Sequence, residues 1–93
     1  MWVRIDEITF SPDRCDAVID NFRDTAVIRH DGDGFRGFRL LVDRVNGRAL
    51  DVSYWETHGG ALAGQTDAAV DPLGAPATAK IRSNVYELSI DAV

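Results

Sequence analysis

Six residues stand out as able to do chemistry on a small molecule: Asp6, Arg39, Tyr54, Trp55, Asn84 and Tyr86. Each sits within an otherwise apolar, strand-forming run. Asp6 shares the parity of Arg4 and Ile8, and a carboxylate in such a strand can serve as a base. Its plainer role is an ion pair with Arg4, Arg39 or Arg82. Arg39 and Tyr54 read as cross-strand neighbours. Together they can hold an anionic or phenolic ligand, or simply make a cation–π contact. Guanidinium, indole N–H and phenol O–H groups all steady a developing anion in a dry pocket. Trp55 fits a substrate wall, and fits equally well a packing anchor at a sheet face. The spacing of the six is not a motif. His30 and His58 are the only histidines and lie at helix ends, so no metal site is expected. The single cysteine, Cys15, falls on an apolar helix stripe and reads as a small core residue.

Four strands and two helices must position these groups. Trp2 to Phe10 is rich in β-formers and predicts a first strand. Ser11-Pro12-Asp13 predicts a capped helix start, with proline at the first helical position and an acid at the positive dipole end. Cys15, Val18, Ile19, Phe22 and Ala26 then form one apolar stripe on a helix running to about Arg29. Glycines in His30-Asp-Gly-Asp-Gly34 suit its C-terminal cap. Asn46-Gly47 lies between two β-rich runs, the strongest short-range hairpin signal. A two-residue turn there gives strands over Arg36–Arg44 and Arg48–Glu56, pairing Leu41 with Val52, Arg39 with Tyr54, Leu40 with Ser53 and Phe38 with Trp55. One face then carries Gly37, Arg39, Leu41, Val52 and Tyr54. The other carries Phe38, Leu40, Val42, Ser53 and Trp55. Thr57 to Val70 predicts a weak second helix, since Gly59, Gly60 and Gly64 each cost roughly 1 kcal/mol relative to alanine. Asp71 to Pro76 reads as a loop and Ala79 to Ala92 as a fourth strand. The order βαββαβ predicts a ferredoxin-like α+β domain with an antiparallel four-stranded sheet.

Composition bounds the partners. The 93 residues fit one domain, 1–93. A formal charge of −5 without a basic run argues against nucleic acid. No apolar stretch approaches the roughly 18 residues of a membrane span. One cysteine and no signal-peptide pattern lead to the expectation of a cytoplasmic protein.

The stretch Gly34-Phe-Arg-Gly-Phe-Arg-Leu-Leu, with its close in Tyr54-Trp-Glu-Thr57, resembles the central hairpin of the antibiotic biosynthesis monooxygenase family. The resemblance is strongest over Phe35–Glu56 and weak after Thr57. It implies a dimeric α+β barrel, in which two subunits set their sheets face to face with a pocket between each sheet and its helices. Relatives of one branch oxidise aromatic polyketides without flavin or metal. By that resemblance Asp6, Arg39, Tyr54 and Asn84 are candidate catalytic groups, and Phe22, Trp55 and Tyr86 candidate substrate-binding groups. Asp6 would orient or deprotonate a phenolic substrate, and Arg39, Tyr54 or Asn84 would steady the anion. No cofactor is expected. A second branch degrades heme and uses a strand-one Asn, a helix-two Trp and a following His. Those positions fall here on Asp6, near Gly64, and on no residue, because no histidine follows His58. Heme degradation is therefore not expected. The function implied is a cofactor-independent monooxygenase-like activity on an aromatic or polyketide-like molecule. The alternative is a non-catalytic small-molecule-binding or stress-associated homodimer on the same scaffold.

A homodimer is expected in either case. The hairpin has two apolar-rich faces and the two helices cover only one of them, so the face with Phe38, Leu40, Val42 and Trp55, or its counterpart, is expected to pair with a second copy.

Overall fold

Each strand-forming run in the sequence becomes a strand in the computed structural model, which describes residues 1–29, 34–63 and 80–92. The elements are β1 (Trp2–Thr9), a 3-10 turn (Pro12–Arg14), α1 (Cys15–Arg29), β2 (Phe35–Asp43), β3 (Arg48–Trp55), α2 (His58–Ala63) and β4 (Lys80–Glu87). They form one antiparallel sheet in the order β2-β3-β1-β4. This is the ferredoxin-like arrangement. The expected helix cap at 30–33, the end of the second helix and the loop at 71–76 lie outside the described residues.

Two local expectations are corrected. Ser11 does not cap a backbone N–H; its hydroxyl donates to the Asp13 carboxylate, and a 3-10 turn precedes the α-helix. The hairpin turn spans four residues rather than two. Asp43 faces Arg48, so Arg39 pairs with Val52 and Leu41 with Leu50. Asp43 builds this turn: its Oδ1 accepts the backbone N–H groups of Val45 (3.2 Å) and Asn46 (3.1 Å), and its Oδ2 accepts Asn46 Nδ2 (2.8 Å). A shift of two residues preserves parity, so the predicted faces survive. Gly47 closes the turn at φ +68, and a Cβ there would stand 2.1 Å from the Phe10 carbonyl oxygen. The Gly47 carbonyl in turn accepts the Phe10 N–H at 2.8 Å, pinning the hairpin tip to the end of β1.

The core lies between α1 and one sheet face. Ile8, Phe10, Cys15, Val18, Phe22 and Ala49 are buried together, with Ile19, Leu40 and Val42 packed on them. Each large apolar side chain buried here contributes roughly 1.5–3 kcal/mol. Cys15, Val18, Ile19 and Phe22 of the predicted helix stripe thus lie on the covered side of α1. α2 starts on Thr57, whose Oγ1 accepts the Gly60 N–H at 2.9 Å.

Opposed residues on neighbouring strands share a face. The covered face carries Trp2, Arg4, Asp6 and Ile8 of β1 against Trp55, Ser53, Asp51 and Ala49 of β3. Phe38, Leu40 and Val42 of β2 join them. The open face carries Val3, Ile5 and Glu7 against Tyr54, Val52 and Leu50, with Arg39 and Leu41 on one side and Tyr86, Asn84 and Arg82 on the other. On this face Leu41 and Tyr86 are each 52% exposed. The face left for a partner is therefore the one with Leu41, Val52 and Tyr54. Leu40, Val42 and Trp55 lie on the helix side, and Phe38, on the same side, stays 36% exposed.

Candidate active site

On the covered face, the end of the sheet away from the hairpin tip is polar. Arg4 is 2% exposed, Asp51 1% and Ser53 0%. Such burial is tolerated only when each group finds partners. Arg4 supplies several. Its Nη1 donates to the Ala61 carbonyl of α2 at 3.3 Å, its Nε lies 3.4 Å from Asp6 Oδ2, and its guanidinium carbon sits 5.0 Å from the centroid of the Trp55 ring. Arg4 therefore ties the sheet to α2, a short helix with little stability of its own. Trp55 Nε1 donates to Ser53 Oγ at 2.9 Å, and Ser53 Oγ donates to the Arg4 carbonyl at 3.3 Å. Ser83 of β4 donates to Asp6 Oδ1 at 2.6 Å.

Asp6 keeps some solvent access, its side chain being 17% exposed, where Arg4, Asp51 and Ser53 are fully buried. It also stands directly opposite Asp51 on β3 and Ser83 on β4. The cluster thus combines one guanidinium with two carboxyl groups in a poorly solvated place, where charge interactions are strong. Its outer wall is aromatic. Trp55 meets Phe35 with ring centroids 5.2 Å apart, and Trp2 stacks on His58 at 4.2 Å. His58 opens α2 and stays exposed while one of its ring faces stacks on Trp2.

The residues singled out from the sequence divide between the two faces. Asp6, Trp55 and Phe22 lie on the covered side, with Phe22 buried in the α1 core. Arg39, Tyr54, Asn84 and Tyr86 lie on the open side. A strand's thickness separates the groups, so Arg39, Tyr54 and Asn84 do not converge with Asp6 in one pocket of one chain. Arg39 and Tyr54 do meet: Nη1 lies 3.5 Å from the phenol oxygen, and the guanidinium carbon 6.0 Å from the ring centroid. They are diagonal neighbours rather than the directly opposed pair expected. A recess of about 240 Å³ at the hairpin, lined by Leu41, Val42, Asp43, Arg48, Ala49 and Leu50, contains none of these residues.

Sequence reading missed Asp51, Ser53 and Ser83 as parts of a cluster, and took Arg4 only as a neighbour of Asp6. The available signal was parity. Asp51 and Ser53 alternate with Trp55, as Arg4 does with Asp6. Among the described residues, no three His, Cys, Asp or Glu side chains group as metal ligands, and no helix is long and apolar enough to cross a membrane.

No protein-family model matches the chain, and no curated protein matches it. Solved structures do. The heme-degrader MhuD from Mycobacterium tuberculosis, with two hemes in its active site, superposes with a TM-score of 0.74 at 23% identity, over 100% of both chains. SnoaB, a cofactor-independent oxygenase from Streptomyces nogalater, gives 0.67 at 17% identity, over 97% of this chain and 94% of that one. An antibiotic biosynthesis monooxygenase gives 0.60 at 17%, over 100% and 99%. The likeness to a heme degrader weakens the expectation against heme degradation, which now rests on the three residue departures alone. The sheet order, the helices on one face and these likenesses together give the chain the fold of the dimeric α+β barrels.

Proposed function

We propose that this protein is a homodimeric, cofactor-independent oxygenase of an aromatic or polyketide-like small molecule, with its chemistry at Asp6. The observation that carries the reading is the position of Asp6. It is the partly exposed carboxylate of a buried polar cluster, fixed by Ser83 and by Arg4, whose guanidinium lies over Trp55. A base within reach of a ligand, oriented by two neighbours and shielded from bulk water, is what proton abstraction requires.

For a substrate with an acidic benzylic CH₂ flanked by phenol rings, Asp6 takes one proton. The delocalised anion gives its electron pair to dioxygen, forming a C–O bond and a peroxide anion. That oxygen takes the proton back from Asp6. Loss of water, with the remaining benzylic hydrogen leaving and the O–O bond breaking, gives the ketone of a quinone. Per turnover, one dioxygen is consumed and one water is released. The chain's own share is the base, its orientation and a dry pocket.

The dimer rests on the open face, where Leu41, Val52, Ile5, Leu50 and Tyr86 make an apolar surface that no element of the chain covers among the described residues. Pairing it with a second copy buries an area on the order of 2,000 Å². A non-catalytic binder is the second reading, favoured by the bonds that tie Arg4 to α2 and Ser53 to Trp55 and so give the cluster a structural role. Oxygen uptake with anthrone-type phenols separates the two. Turnover supports the oxygenase. Ligand-induced stabilisation without turnover supports the binder.

A further inference from the structure

We propose that the open face, closed by a second copy, forms an additional site for an anionic aromatic molecule, a carboxylate or phenolate, held by Arg39 and Tyr54. The inference rests on the dimer proposed above and uses a face that the chemistry at Asp6 does not.

The argument is one of charge. On this face the strand register places Glu7, Arg39, Asp43, Arg48 and Arg82. Glu7 is held by Arg48, Nε to Oε1 at 3.5 Å, and faces Arg82 across the β1–β4 pair. Asp43 is committed to its own turn through the N–H groups of Val45 and Asn46 and the Asn46 amide. Both carboxylates are thus engaged at the hairpin end. Arg39 lies farther along, in the row Asn84–Ile5–Val52–Arg39, beside the row Tyr86–Val3–Tyr54–Gly37. Neither row holds an acid. Among the described residues Arg39 reaches Tyr54 and no carboxylate.

Covering this face removes water from Arg39. A guanidinium desolvated without a counter-charge is strongly unfavourable. A two-fold contact sets the same face of the second copy against it, and the acids that the strand register places on that face among the described residues, Glu7 and Asp43, are already engaged. A small anionic molecule supplies the counter-charge that the described strands of this face lack. Arg39 N–H groups donate to an anion, and Tyr54, whose oxygen accepts from Arg39, has its O–H left to donate as well. Tyr86, Val3, Ile5 and Leu41 offer an apolar and aromatic bed, which selects an aromatic body over an inorganic ion.

The test is the dimer dissociation constant by analytical ultracentrifugation at fixed ionic strength. Wild type, Arg39→Met and Tyr54→Phe are compared in chloride, benzoate and inorganic phosphate. Benzoate should tighten the wild-type dimer by about tenfold or more relative to chloride, and phosphate should not. Arg39→Met should dimerise at least as tightly as wild type in chloride and gain nothing from benzoate. Tyr54→Phe should retain part of the gain. A wild-type dimer indifferent to benzoate overturns the site and leaves the dimer standing. So does an Arg39→Met dimer that is weaker in chloride, because Arg39 would then meet a carboxylate of the other copy. Equal tightening by phosphate overturns the aromatic class. A folded monomer in every buffer overturns the dimer and the site together.

Discussion

Replacing Arg4 with Met should unfold this domain more readily than almost any other single change. Methionine keeps much of the stem's packing and removes the guanidinium. Three interactions go with it: the hydrogen bond to the Ala61 carbonyl, the contact with Asp6 and the stacking over Trp55. A charged hydrogen bond contributes roughly 1.5–3 kcal/mol and a desolvated cation–π contact up to about 2 kcal/mol. Breaking a buried pair by deleting one partner costs about 3–5 kcal/mol. Asp6 keeps its Ser83 bond and some solvent access, which places the total near the lower bound, about 3 kcal/mol. For a domain of this size that lowers the melting temperature by more than about 10 °C. Urea denaturation followed by circular dichroism, at one protein concentration, measures it. Adding Asp6→Asn to Arg4→Met should cost less than the sum of the two single changes, because the pair is coupled. A variant within about 0.5 kcal/mol of wild type, or strict additivity, would show that Arg4 is a bystander and that the cluster has been misread.

Gly47→Ala should destabilise by at least about 2 kcal/mol, from left-handed strain and the clash with the Phe10 carbonyl. Gly59→Ala, in α2 with open space around its would-be Cβ, should instead be neutral or stabilising by up to about 1 kcal/mol. Paired thermal melts decide both. Asp43 has its pKa lowered below the ordinary carboxylate value, chiefly by the Asn46 side-chain amide, then by the Asn46 backbone N–H, with smaller help from Val45 and Arg48. The folded value is depressed, so its stabilisation is complete above the unfolded value of about 3.9 and is lost as pH falls through the folded value. Melting temperature against pH should therefore show wild type and Asp43→Asn converging on acidification; parallel curves would contradict this. Light scattering at low micromolar concentration should give twice the chain mass. Leu41→Lys, on the open face, should halve it without loss of helix or strand signal, and a wild-type monomer would remove the barrel.

Much of this fold can be read from alternation. Parity assigned Phe38, Leu40, Val42 and Trp55 to one hairpin face and Arg39, Leu41 and Tyr54 to the other. The four-residue turn left that assignment intact because it shifted the register by an even number. The turn itself was misjudged because Asn46-Gly47 was weighed without Asp43, whose carboxylate reaches three and two residues ahead to fix the loop. The site was less legible for a different reason. Arg4 and Asp6 are local neighbours, and so are Asp51, Ser53 and Trp55. That β1 lies between β3 and β4, with Arg4 opposite Ser53 and Asp6 opposite both Asp51 and Ser83, is a tertiary fact. No spacing within the chain encodes it. Nor does sequence periodicity say which face the helices cover, and that choice separated Asp6 from Arg39, Tyr54 and Asn84.

The central claim is proton abstraction by Asp6 ahead of reaction with dioxygen. The direct measurement is oxygen uptake with an anthrone-type phenol, product mass and thermal shift recorded together, for wild type and Asp6→Asn. The account predicts one dioxygen consumed per quinone formed by wild type. It predicts a rate at least about 100-fold lower for Asp6→Asn, with the ligand-induced thermal shift retained. Equal turnover by the two proteins, or neither turnover nor thermal shift for wild type across a panel of such phenols, would contradict it.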